Sequence, residues 1–272
     1  MRLAPHLLAA IAMLLFGGPP ASAQQVRQFT EAELIDGFVR TVFGAEYEAP
    51  ADAIVVVKRF TRPVRVYVEP IPSEDFTAAQ GRQRKREAEA IIRVLAQRVP
   101  GARIQIVRTL RQANVLVVIT DARHYLAVGN FMLPGRSAFM RNTVCAGVPA
   151  WFPNYAMERA LVIVPGDRGN RLFTSCVAEE FLQVLGAVND DDGLIYSTFN
   201  DANDLGGFPL FDQWILNMLY HPRIQPGMRE EQVRAVLPGV IREIRVRVEG
   251  AAARRVGRSG RAGFATSGLV FD

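Results

Sequence analysis

Histidine is scarce in this 272-residue chain: there are three, His6, His124 and His221. His6 falls within an amino-terminal export leader, so two remain for the working protein, and a metal centre built on three imidazoles is excluded by counting. Lysine is rarer still. Lys58 and Lys85 are the only two, so the formal net charge of +5 rests on arginine. A basic balance can serve nucleic acid or an anionic surface. Here the basic residues are dispersed, and the run Arg82, Arg84, Lys85 and Arg86 has no interleaved aromatics to stack on bases. It reads as a solvated helix face, and no nucleic-acid partner is expected. Cysteine is limited to Cys145 and Cys176, and no histidine flanks either as the base a thiol nucleophile needs. In an exported chain two cysteines most simply form one disulfide. No long apolar run follows residue 16, so no transmembrane segment is expected in the mature chain, and no cofactor motif stands out.

What is present begins with export. Arg2 supplies a positive charge, Leu7 to Phe16 an apolar run, Gly17-Gly18-Pro19-Pro20 a helix breaker, and Ala21-Ser22-Ala23 a small-residue cleavage triplet. That order is a secretory signal peptide. The apolar run is too short for a bilayer, which needs roughly 20 residues. Residues 1–23 are therefore expected to be removed, leaving a periplasmic or extracellular protein that starts near Gln24. No cysteine sits at the cleavage point to take a lipid.

Residues 24–249 read as one domain and 250–272, rich in Gly, Ala and Arg, as a disordered tail. Thr30 followed by Glu33 has capping-box spacing ahead of an amphipathic helix over 31–43. Strands are expected at 54–57, 64–68, 103–107, 115–119 and 160–164, with the wholly apolar 115–119 central. A long helix is expected from Ser73 to Val99. Further helices are expected at 172–185 and 210–220, and a short one near 229–237 ahead of a separate segment at 240–248. Residues 129–155 read as irregular and 189–209 as an acidic loop. The layout is α+β: a mixed twisted sheet with a long helix.

The chemistry-bearing stretch is 176–190. Glu179, Gln183, Gly186 and Asn189 fall at relative positions 0, 4, 7 and 10, with Glu180 beside the first. That is the spacing of the zinc signature H-E-x-x-H-x-x-G-x-x-H, in which two ligands one helical turn apart share a face, a glycine reverses the chain, and a third ligand returns to the metal. The Glu beside the first ligand activates a water. Here Glu179, Gln183 and Asn189 replace all three histidines, while Glu180 stands at the general-base position and Gly186 at the turn. No zinc is expected, because such an all-oxygen trio does not suit it.

Cys176-Val-Ala-Glu-Glu-Phe-Leu-Gln-Val-Leu-Gly186, Asn189-Asp190, Ser197-Thr-Phe-Asn-Asp201, the stretch Asp212 to Arg223 and Pro226-Gly227-Met228 together resemble the bacterial exported family named domain of unknown function 2927. Gly37-Phe38, Phe43-Gly44-Ala-Glu46 and Pro63-Val64-Arg65-Val66 fit it too, so the resemblance spans roughly 30–230; Ala187 and His221 depart from it. It implies a zincin-like scaffold with an altered catalytic pattern. It supplies no activity.

Three readings follow. The first is a non-peptidase binding or envelope module, with a peptide or glycan strand lying against strand 160–164 as a sheet edge. The second is a hydrolase in which Glu179 or Glu180 works with an aspartate of the loop; adjacent helical residues point about 100° apart, so the two are not a facing pair. The third is an oxygen-ligand metal site drawing on Asp190, Asp191, Asp192, Asp201 or Asp204. Trp151, Phe152 and Tyr155 either pin a loop to the core or line a ligand surface, Arg223 is placed to clamp loop 190–192, and Arg254, Arg255, Arg258 and Arg261 either touch an anionic polymer or are simply solvated. Mass spectrometry of the exported chain is expected to find Gln24 at its amino terminus; a chain that keeps residues 1–23 would remove the export reading.

Overall fold

A computed structural model describes residues 27–43, 55–200 and 207–259; the leader, Ile54, Gly44 to Glu46, Asp201, Asp204 and residues 260–272 lie outside the described residues. Helix α1 (Glu31–Phe43) opens on the expected capping box: Glu33 N donates to Thr30 Oγ1 at 3.2 Å and Thr30 N donates to Glu33 Oε2 at 2.8 Å. Residues 55–58 do not join the sheet as expected. They run extended beside another loop, with Val57 N donating to Met228 O at 3.0 Å and Gly227 N to Val57 O at 2.9 Å.

Strand β1 (Arg65–Pro70) leads to the long helix α2 (Ala78–Arg98). The helix starts later than Ser73, because Thr77 and Gln80 form the capping box that satisfies its first donors. A 3₁₀ turn at Pro100–Ala102 ends it, and the chain returns as the short strand β2 (Gln105–Ile106), parallel to β1. Strand β3 (Val115–Thr120) follows. The stretch expected to be irregular instead holds α3 (Tyr125–Met132), α4 (Ser137–Asn142) and strand β4 (Ala146–Trp151). Glycine and proline in Ala146-Gly-Val-Pro-Ala-Trp151 hide that strand from propensity, and pairing with its neighbour makes it. Strand β5 (Met157–Pro165) feeds into α5 (Asn170–Gln183), and α6 (Leu210–Leu219) and α7 (Glu230–Ser259) complete the described chain.

The sheet order is β2-β1-β3-β5-β4, with β4 antiparallel and the rest parallel. The fold is α+β, and β3 is central as its apolar sequence requires. Strand β5 is not an edge: β3 pairs with it on one side and β4 covers the other. No extended ligand can therefore add to β5. Strand β4 is the edge on that side, and Pro149 takes one donor from it.

Strand alternation divides the core. Val115, Val117 and Ile119 of β3 and Val162 and Val164 of β5 face the main core with Ile91, Ile92 and Leu95 of α2 and Phe173, Val177 and Phe181 of α5. Val118 and Ile163 face the other way, into a smaller cluster with Tyr125 of α3 and Met140 of α4. Helix α7 is continuous where two segments were expected, with Pro238 inside it. Proline removes one backbone bond there. Val233, Leu237, Val240, Ile241, Ile244 and Val248 keep helical spacing across it and are all buried, so packing overrides the local break. The same helix runs to Ser259, so the segment expected as a disordered tail from residue 250 is helical to that point. Among the described residues no helix is long and apolar enough to cross a membrane.

Cys145 and Cys176 form the expected disulfide, tying the start of β4 to α5. With the cysteines 31 positions apart in sequence, replacing both by serine is expected to destabilise the protein by roughly 3–4 kcal/mol in urea unfolding, on the chain-entropy relation. Equal midpoints for wild type and the double variant would show that the bridge adds no stability.

Candidate functional site

Helix α5 lies against β5 and β4, its Phe173, Cys176, Val177 and Phe181 turned into the main core. Glu179 is half-buried one turn before Gln183, as the spacing requires. Glu180 is only 8% exposed. Its Oε2 lies 2.9 Å, and its backbone oxygen 2.8 Å, from the point where a Cβ on Gly147 of β4 would sit. Gly147 is what lets the helix approach the sheet edge so closely.

Gln183 and Asn189 are hydrogen-bonded to different elements. Gln183 Nε2 donates to Asp190 Oδ2 at 2.8 Å. Asn189 turns to α1: its Nδ2 donates to Arg40 O at 2.9 Å and its backbone N to Thr41 O at 3.1 Å. Gly186 makes the turn between them with φ of 122°, and a Cβ there would lie 2.2 Å from Lys58 O. Both the left-handed conformation and the space require glycine. Among the described residues no group of three His, Cys, Asp or Glu is placed to hold a metal ion.

The acidic loop is a folded element. Asp191 accepts from Arg40 Nη1 at 3.1 Å and from Gly193 N at 2.8 Å. Arg223, expected to clamp this loop, pairs instead with Glu243 of α7. Asp212, in the first turn of α6, accepts from Ser197 Oγ at 2.6 Å and from Thr198 N at 2.8 Å. Burial pushes its carboxyl up to about 7, against the pull of those two donors.

Trp151 and Phe152 do not pin a loop to the core. They stand exposed where β4 bulges, Trp151 at 45%, with Lys58 Nζ 5.0 Å from its ring centroid and Arg62 Cζ 5.5 Å from that of Phe152.

The sequence reading missed a second cluster, at the carboxyl ends of β1 and β3. Ser73 Oγ donates to Asp121 Oδ2 at 2.6 Å, and His124 Nδ1 lies 2.8 Å from the same oxygen. These residues line a cleft of about 630 Å³ with Thr120, Asp75 and Arg123. Burial would raise Asp121, but hydrogen bonds from Ser73 and His124 outweigh it and hold the carboxyl down at about 2. The pair fixes the imidazole, whose side chain is 54% exposed. Ser73 donates to the aspartate and not to the imidazole, so the three do not form a nucleophile with its base. An Asp-x-x-His step just after a buried parallel strand was the available signal, since ligands of such sheets gather at strand carboxyl ends.

Asp121 and Asp212 give opposite pH signs. Asp121, lowered, stabilises the fold above its ordinary pKa and loses that contribution as pH falls through about 2. Asp212, raised from 3.8 to about 7, binds its proton more tightly when folded, so its contribution is full below 3.8 and is lost as pH rises toward 7. Asp212→Asn is expected to flatten the fall in stability between pH 4 and 7, a change on the order of 3–4 kcal/mol, in denaturant titrations at stepped pH. Parallel wild-type and variant curves would show that Asp212 titrates normally.

A family model described as a protein of unknown function (DUF2927) matches residues 31–239, more than half of the chain. No curated protein and no solved structure matches it.

Proposed function

The chain belongs to the DUF2927 family, and from that premise we propose that it is an exported, non-peptidase binding module of the cell envelope, built on a zincin-like layout whose metal site has become scaffold. The observation that carries this reading is the fate of Gln183 and Asn189. Each spends its side-chain amide donor inside the fold, on Asp190 and on the Arg40 carbonyl. These bonds turn the two side chains to different elements, Gln183 to the acidic loop and Asn189 to the end of α1, and hold them there as scaffold. Glu180, at the general-base position, is packed against Gly147 beneath β4, where a hydrolytic water has little room.

The strand-to-helix order of β5 and α5, the ligand spacing and the turn at Gly186 support the zincin-like comparison. The binding face is the bulge at the end of β4. Trp151 and Phe152 offer exposed rings flanked by Lys58 and Arg62. Rings with a polar rim suit a peptide or an envelope glycan, which presents both apolar faces and hydrogen-bonding edges. This replaces strand addition along β5, which β4 forbids.

Metal content by mass spectrometry tests the reading, on wild type, Gln183→Ala and Glu180→Gln. No stoichiometric divalent metal is expected in any of the three, and a chelator should leave the melting temperature unchanged. Gln183→Ala should still lower stability by about 1 kcal/mol through the lost hydrogen bond to Asp190. One metal per chain in the wild type, lost in Gln183→Ala, would overturn the proposal and return the site to metal chemistry.

A further inference from the structure

Arg59 is an arginine at a buried position: it is 8% exposed, and among the described residues it makes no ion pair. Its Nη1 donates to Leu219 O, at the carboxyl end of α6, at 3.0 Å. That carbonyl carries part of the helix dipole and offsets part of the charge. Its Nε is enclosed and has no hydrogen-bond partner. The side chain lines a cleft of about 380 Å³ together with Arg103 and Arg247, beside Tyr220 and His221, and no aspartate or glutamate lines it.

The other two arginines are also without ion pairs among the described residues. Arg103 stands in the left-handed region, φ 51°, just after the 3₁₀ turn at Pro100–Ala102, and its Nη2 donates to Thr61 O at 2.8 Å. A non-glycine residue held there is a cost that the surroundings sustain. Glu243, on the same helix as Arg247, is engaged by His221 Nε2 at 3.0 Å and by Arg223. Burial lowers the Arg59 pKa, Tyr220 partly opposes it, and the Arg103 charge adds to the lowering.

We propose that this cleft is a binding site for a phosphoryl group, held by Arg59, Arg103 and Arg247. Guanidinium forks match the geometry of a phosphoryl oxygen pair. Three cations with no acid among the lining residues call for a dianion rather than a single carboxylate. Arg59, 8% exposed and bonded through Nη1 to a neutral carbonyl, supplies a desolvated charge that a solvated surface patch would lack. The site shares no residue with α5 or with the aromatic bulge, so it stands apart from the reading of those regions.

Titration calorimetry on the full mature chain tests it, with inorganic phosphate, glucose 1-phosphate and chloride at constant ionic strength. Saturable binding of at least one phosphoryl probe is expected, and Arg103→Gln and Arg247→Gln should each weaken it by about tenfold or more, as loss of one charge-assisted pair does. Equal affinity for the two probes would point to free phosphate, and a preference for glucose 1-phosphate to a phosphorylated saccharide. Arg111→Gln, a surface charge elsewhere, should leave the affinity unchanged. Arg59→Gln need not fold for the test to decide, since the two exposed arginines carry it. No saturable binding above chloride, unchanged affinity in both cleft variants, or an equal loss in Arg111→Gln would overturn the proposal.

Discussion

The close approach of α5 to the sheet edge is the constraint from which the rest is built. Gly147 in β4 has no side chain, and the Glu180 carbonyl and carboxylate fill the space a Cβ would need. The Cys145–Cys176 bridge closes the same seam covalently. With α5 held there, the chain leaving it must pass under Lys58, and Gly186 is the residue that can do so. Asn189 then meets α1 and Gln183 meets Asp190, so the sheet, α1 and the acidic loop are joined at the end of one helix.

Polar groups in this region are mostly committed to architecture. Asp191 holds Arg40 and a turn of its own loop, and Asp212 gathers Ser197 and Thr198 onto the first turn of α6. A buried polar group is tolerable when its partners are built in. The groups left facing solvent or clefts lie elsewhere: the His124 imidazole oriented by Asp121, the rings of Trp151 and Phe152, and the arginines around Arg59. The surface with room for chemistry therefore lies away from α5.

Much of the architecture was legible from one dimension. Helices with capping boxes or amphipathic stripes, such as α1 and α6, follow local rules, and the apolar run of β3 announced a central strand. Strand β4 was not legible, because Gly147 and Pro149 spoil its propensity and only pairing with β5 makes it a strand. Its absence from the sequence reading is also why β5 was taken for an edge. The break at Pro238 failed for the converse reason: a strong local signal lost to the apolar stripe packed on α1 and α6. Arg223 found Glu243 and not the acidic loop, since nothing local distinguishes two acids many residues away.

By itself the sequence determined composition, counting and period: two histidines beyond residue 23, two cysteines for one bridge, the polar residues Glu179, Gln183 and Asn189 at a fixed spacing, and a glycine between the last two. These are properties of a chain read residue by residue. Only the tertiary structure decided where side chains end. It turned Asn189 to α1, enclosed Glu180 beneath β4, joined Asp121 to Ser73 and His124, and brought Arg59, Arg103 and Arg247 to one cleft from three distant segments. Such meetings depend on packing between elements remote in sequence, and no local propensity encodes them.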